Sequence, residues 1–385
     1  MRRFILLGIL FVFVISCNQV SNKKNAQLIK ELEAQLTYFT DHTKDSLKVA
    51  RTFEDGTYNM VSNKDWTCGF PPGTMWYMYE LTGSDKWKKI AAENTLKLDG
   101  VQYLTHTHDL GFMVFCSYGN AYRLTGEAKY KEVILQASET LAGRFDESIG
   151  CIRSWDFGSW QFPVIIDNMM NLEMLIWASE VSGNPKYKEI AVSHADVTMK
   201  NHFREDMSSW HVVSYDTTSY GVEIKQTHQG LNDDSAWGRG QAWGLYGYSV
   251  MYRETGDVKY LETAEKIADF ILPHLPEDKV SYWDYNDPAG AKTLRDVSAA
   301  AITASALFEM AGFGGEKKDV YLKTANKIIE SLNSDAYRAQ YGTNGGFLLM
   351  HSVGNMPGGT EVDVPLDYAD YYYLEALKRQ REILK

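Results

Sequence analysis

Two aspartates, Asp109 in "THTHDLGFM" and Asp167 in "VIIDNMMN", each stand where an apolar, helix-forming run begins. Gly126 follows Asp109 by 17 residues and Gly183 follows Asp167 by 16, and both glycines sit in a repeated turn sequence. The two carboxylates thus occupy equivalent positions of adjacent repeats. Carboxylates that project into one pocket can divide acid and base work, because the negative charge of one raises the pKa of the other. Aspartate is also a preferred N-cap, a role compatible with catalysis. A second cluster is "DDSAWGRGQAWGLYG", residues 233–247. Helical neighbours are three and four residues apart, so Trp237, Arg239, Gln241 and Trp243 cannot all share a face. Arg239 and Trp243 can, with Ser235 and Gly247 near that side. A guanidinium beside an indole offers a fork for a carboxylate and a flat apolar face for a sugar ring. The alternative is that Trp237 and Trp243 are core and that Arg239 pairs with Asp233 or Asp234, which otherwise read as helix-start residues. Gly238, Gly240 and Gly244 would weaken a helix and point to close backbone approach.

Upstream, "WHVVSYD" and "THQG" place His211, His228 and Gln229 on the connection into that helix. His106 and His108 form an HxH pair, but no third ligand accompanies any of these histidines at metal-binding spacing, and no metal is expected. Hydrogen bonding to sugar hydroxyls, or loop structure, fits them better. Trp66, Trp155 and Trp160 lie in other connections, where ring stacking on a saccharide and simple loop packing are both open readings.

The elements that must position these groups follow from a repeat. "YELTGSDKWKKIAAENTL", "YRLTGEAKYKEVILQASETL" and "YRETGDVKYLETAEKIADFI" are three of five segments in which a helix ends at a Gly-containing turn and a second helix begins. Glycine suits the left-handed C-cap, and an aromatic shortly after opens the next apolar stripe. Tyr130, Val133, Ile134, Ala137 and Leu141 form one such stripe, so the second helices are one-sided and peripheral. The helices before each turn, such as "LGFMVFCSYGNAYRL", are apolar or small all round and read as central. The pattern predicts peripheral helices near 27–50, 85–98, 127–142, 185–202, 257–273 and 316–333. Central ones are predicted near 72–82, 109–124, 167–181, 237–254, 294–311 and 366–383. Six such pairs suggest an all-α toroid, the (α/α)6 barrel, formed by one catalytic domain over 27–385. Inner-to-outer connections are tight, whereas 143–166, 203–236 and 334–365 are long. These long loops would gather on the face where inner helices begin, beside exposed helix amides.

The chain has 385 residues and a formal net charge of −11, which argues against nucleic acid as a partner. "MRRFILLGILFVFVISC" reads as an export signal over 1–17 that ends in a lipobox, with Cys17 lipidated and 18–26 a polar tether. Contact with a membrane is expected only through that anchor, and the location is a bacterial periplasm or membrane surface. Cys68, Cys116 and Cys151 are widely spaced and indicate neither a disulfide framework nor a zinc site.

"THDLGFM", "IIDNMMNLEMLIWAS", "THQG…DDSAWGRGQAWGLYG" and "GGFLLMHSVG…EVDVPLDYADYYYLEAL" resemble the unsaturated glucuronyl hydrolases, glycoside hydrolase family eighty-eight, over about residues 50–383. The resemblance implies an (α/α)6 barrel and an exo-acting hydrolase that needs no cofactor. Such an enzyme removes the 4,5-unsaturated uronic acid from the non-reducing end of lyase-generated glycosaminoglycan oligosaccharides. It puts the acid/base on Asp167, the second carboxylate on Asp109, and substrate contacts at His108, His211, Gln229, Arg239, Trp243, Trp66 and Trp155. Two rivals are an unsaturated rhamnogalacturonyl hydrolase and a saccharide-binding lipoprotein without activity. "HSVGNMPGGTEVDVPL" lacks the Lys expected of chondroitin-directed members, which favours heparin, heparan or unsulfated substrates.

Overall fold

The computed structural model describes residues 24–383. Twelve helices account for most of these residues. The inner set comprises α2 (Phe70–Thr82), α4 (Gly111–Thr125), α6 (Ile166–Ser182), α8 (Gly238–Thr255), α10 (Val297–Gly312) and α12 (Asp367–Ile383). The outer set is α1 (24–43), α3 (Asp85–Leu96), α5 (Ala128–Ala142), α7 (Pro185–Asn201), α9 (Val258–His274) and α11 (Lys318–Leu332). Each inner helix packs on the next, and α12 returns to pack on α2, so the ring is closed.

Burial explains the division. In α8 every residue from Gly238 to Met251 is buried, and in α10 every residue from Val297 to Phe308, whereas α3 buries only Trp87, Ala91 and Thr95. Helices apolar all round must be covered on all sides; one-sided helices form the rind. Gly83, Gly126, Gly183 and Gly256 end four inner helices with φ between 69° and 74°, and each N–H donates to the carbonyl four residues back. Nothing lies within 4 Å of a Cβ added at any of them, so the left-handed backbone, rather than crowding, calls for glycine.

One helix differs from expectation. The first outer helix stops at 43 instead of 50, and Val49–Glu54 (β1) pairs antiparallel with Thr57–Val61 (β2). The long connections also carry strands. These are β3 (Phe145–Asp146) with β4 (Cys151–Ile152), β5 (Phe162–Ile165) with β6 (Val212–Tyr215) and β7 (Val222–Gln226), and β8 (Ser352–Asn355) with β9 (Thr360–Val364). All precede inner helices and therefore stand on one end of the ring. Cys68, Cys116 and Cys151 are free and buried. No helix among the described residues is long and apolar enough to cross a membrane. The expected signal, lipobox Cys17 and most of the tether lie outside the described residues.

Candidate active site

Asp109 and Asp167 are brought together by the starts of α4 and α6. A Cβ on Gly111 would lie 2.6 Å from the Cα of Asn171, so only glycine lets the two helix starts approach this closely. The Asn171 side chain then accepts from the Phe112 N–H at 3.1 Å. α4 opens as a π-helix over Gly111–Gly119, and α6 opens as a 3-10 turn over Ile166–Asn171. Neither aspartate caps its helix through its side chain. The N-cap reading fails for both, which leaves the carboxylates free for other work.

Asp167 is delivered by a strand. β5 runs directly into it, β6 pairs with β5, and the Ile166 N–H donates to the His211 carbonyl at 3.1 Å. His211 is thereby set beside the acid, with Nε2 3.7 Å from Asp167 Oδ2. The backbone N–H groups of His228 and Gln229 both donate to His211 Nδ1 at 3.1 Å. With Nδ1 accepting, the proton of the neutral ring belongs on Nε2, toward Asp167. Burial holds His211 well below the usual imidazole range, with His228 and Arg239 acting in the same direction, so it stays neutral. His108 has the opposite orientation. Its Nδ1 donates to the Ser154 carbonyl at 2.9 Å, and its Nε2 lies 3.1 Å from Asp109 Oδ1. Burial lowers its pKa despite the neighbouring Asp109. Thr107 Oγ1 donates to the other Asp109 oxygen at 2.8 Å.

Burial raises the carboxyl of Asp167, as it does those of Asp367 and Asp370 in α12, and Asp167 is the one beside His211 and Arg239. Burial pushes its carboxyl up to about 7; Arg239 and the Trp243 indole oppose the rise and Asp109 adds to it. Its Oδ2 has no hydrogen-bond partner, and the same is true of His108 Nε2, His211 Nε2, Arg239 Nε and Trp243 Nε1, all buried. Buried polar atoms without partners are uncommon, and such a concentration at one place suits a site that a polar ligand completes.

Arg239 lies in the first turn of α8, 1% exposed, with its guanidinium over the rings of Trp237 and Tyr368. It does not pair with Asp233 or Asp234. Its partner is Asp296, whose Oδ2 is 3.3 Å away and whose Oδ1 caps α10 by accepting from Ser298. Asp233 accepts from the Thr227 N–H, Asp234 is exposed, and α8 has no side-chain cap, so neither acid starts the helix or serves the arginine. Both lie in the loop, three or more residues short of the helix, where their carboxyls cannot reach it. The close approach expected of the glycines holds at Gly238, where a Cβ would meet the Tyr282 carbonyl at 2.2 Å, and at Gly240. Gly244 has only ordinary contacts. Ser235 turns away to Asp284. Gln229 reaches across to the Gly354 carbonyl in β8 at 3.0 Å.

The tryptophans divide. Trp243 packs on Phe112 and Tyr372, one turn beyond Arg239. Trp66 packs on Tyr368, the ring under Arg239. Trp155 stacks on Phe157 at 4.9 Å and meets His211 edge-on, so one of its faces is already covered. Trp160 joins the same aromatic group around His228, and His106 is exposed and apart from His108. No group of three metal-ligating side chains occurs among the described residues. Asp296, Asn171 and Tyr368 were missed from sequence. Only Asp296 carries a local signal, the cap pattern D-x-S at the head of an Ala-rich helix.

No protein-family model matches the chain. An unsaturated glucuronyl hydrolase of Formosa agariphila is 47% identical to it over 329 residues, 84% of this chain and 82% of that protein. The chain belongs to the unsaturated glucuronyl hydrolases. An unsaturated chondroitin disaccharide hydrolase of Streptococcus pneumoniae is 36% identical over 364 residues, 92% of this chain and 90% of that one. Among solved structures, an unsaturated glucuronyl hydrolase specific for heparin superposes with a TM-score of 0.90 at 48% identity, covering 93% of this chain and 97% of that one. Membership makes the chain a glycoside hydrolase with the family's α/α toroid.

Proposed function

We propose that Asp167 is the acid and base of an unsaturated uronide hydrolysis. Its proton goes to carbon 4 of the vinyl ether, and the carboxylate so formed takes a proton from the water that adds at carbon 5. The resulting hemiketal opens and the aglycone leaves. A single carboxyl that first gives and then takes a proton works best with a pKa near neutrality. The observation that carries this reading is the buried Asp167 Oδ2, without a partner and with its carboxyl near 7. Asp109 and His108 bind the sugar beside it, and His211 turns its Nε2 proton toward the Asp167 carboxylate from 3.7 Å away. Arg239, through its free Nε edge, and Gln229 hold the substrate carboxylate, with Trp243, Trp66 and Trp155 as walls.

The substrate proposed is an unsaturated glycosaminoglycan disaccharide of the heparin type, or an unsulfated one. Support comes from the heparin-specific relative structure and from the absence of Lys and Arg in 351–366. Loss of the alkene absorbance on defined disaccharides tests this. Higher kcat/KM is expected on heparin-derived or unsulfated disaccharides than on 6-sulfated chondroitin disaccharide, and the reverse order would reject it. We also propose that the chain is exported and anchored through Cys17, on the strength of "MRRFILLGILFVFVISC". Labelling with a radioactive fatty acid should be lost on Cys17→Ser; equal labelling of that variant would refute the anchor.

A further inference from the structure

Arg51, in β1, lies outside the group of residues around Asp167, yet it is tied to both sides of it. Its Nε and Nη2 grip Glu361 at 2.5 and 2.6 Å, a bidentate fork, and its Nη1 reaches Asp65 Oδ2 at 2.9 Å. Asp65 precedes Trp66 and fixes that turn by accepting from Thr67 N–H and Oγ1, each at 2.9 Å. Glu361, in β9, is 8% exposed and has φ of 57°, a left-handed conformation for which glutamate has no preference. His351, just before β8, and Asp363, within β9, also have positive φ. Strain of this kind persists only where the surroundings impose it.

The consequence appears across the hairpin. A Cβ on Gly354 would lie 2.4 Å from Glu361 Oε2 and 2.6 Å from its Cβ, so the glutamate side chain is pressed against the Gly354 backbone. The Gly354 carbonyl accepts from Arg239 Nη2 at 2.7 Å and from Gln229 Nε2 at 3.0 Å. The neighbouring Val353 carbonyl accepts from Arg239 Nη1. Arg51 thus holds Glu361, Glu361 backs Gly354, and Gly354 aims two side chains.

We infer that Arg51 and Glu361 are positioning residues, which set Arg239 and Gln229 for the substrate carboxylate through the Gly354 carbonyl without touching substrate. The inference rests on the reading of Arg239 and Gln229 as substrate contacts. Binding made equally in ground and transition states shows in KM and leaves kcat alone, and small displacements of a binding group cost up to about 100-fold.

Glu361→Gly is the decisive variant, because glycine accepts φ of 57° without strain while the carboxylate is deleted. On an unsaturated heparin disaccharide its KM should rise about 10-fold or more, with kcat within about 3-fold of the parent, while the melting temperature falls because Arg51 keeps only Asp65 as an ion partner. Arg51→Lys, which keeps charge but loses the fork, should give a smaller rise. Arg239→Lys on the same substrate separates the two readings. If it raises KM while Glu361→Gly and Arg51→Lys leave KM at the parent value, the positioning role is wrong and the carboxylate site stands. If Arg239→Lys itself leaves KM unchanged, the carboxylate site is wrong.

Discussion

Asp167→Asn should lower kcat by between about 10² and 10⁴-fold, the range that a positioned acid/base supplies, while substrate still binds. Asparagine keeps the shape of the side chain and removes the proton that carbon 4 needs. Turnover near the parental rate would overturn the assignment of Asp167. The pH dependence follows from the same group. Its folded pKa is about 7, against about 3.9 for an unperturbed aspartate. The acid form does the first step, so turnover of the parent falls as pH rises through about 7. For stability the sign is that of an acid whose pKa is raised on folding. The folded state binds the proton more tightly, so the associated stability is fully present below about pH 3.9 and is lost as pH rises through about 7. The Asn variant stays neutral and escapes that loss. Its melting temperature should exceed the parent's at about pH 8 and match it at about pH 4. An advantage independent of pH would mean that Asp167 is not buried as a carboxylate at all.

Arg239→Ala should act twice. It raises KM, and it leaves Asp296, 0% exposed, without its cation. Removing one partner of a buried pair costs about 3–5 kcal/mol, because the other charge remains desolvated. Loss of the aliphatic stem between Trp237 and Tyr368 adds to that. Binding and stability can be separated. In Arg239→Met with Asp296→Asn the stem is restored and no charge is stranded, and asparagine still caps α10. Denaturant unfolding should show that double variant recovering most of the lost stability, while KM stays high. Recovery of both would assign Arg239 to structure alone, and an unchanged KM in Arg239→Ala would say the same.

The toroid was legible because its turns repeat. A left-handed glycine after each of four inner helices and a stripe such as Tyr130, Ile134, Ala137 and Leu141 are local signals. Local signals survive in sequence. The end of the first outer helix was misplaced although "EDGT" carries the Asp-Gly signal of a tight hairpin, with Asp55 at φ 50° and Gly56 at 75°. The expected helix, ending at 50, takes in only the first two residues of β1, and no element is expected over the rest of β1 or over β2. Asp109 and Asp167 could be placed as equivalent because the repeat numbers them alike. The partner of Arg239 could not, since Asp296 caps another helix 57 residues on, whereas Asp233 and Asp234 are close only in sequence. Proximity along the chain favoured the wrong acids. The Gly354 carbonyl left no trace either, since a backbone oxygen has no letter of its own.

The return of α12 onto α2 sets when the molecule can become itself. The helix that opens the ring ends at Thr82 and the one that closes it starts at Asp367. Until the second is available, α2 and α10 each expose an apolar flank, and partly made chains carry a sticky seam. Pairing such distant segments is slow. α12 also supplies Tyr368, against which Arg239 and Trp66 rest. Maturation of the fold and completion of the reaction centre are therefore one late event, and a ribosome-bound chain that lacks α12 has neither.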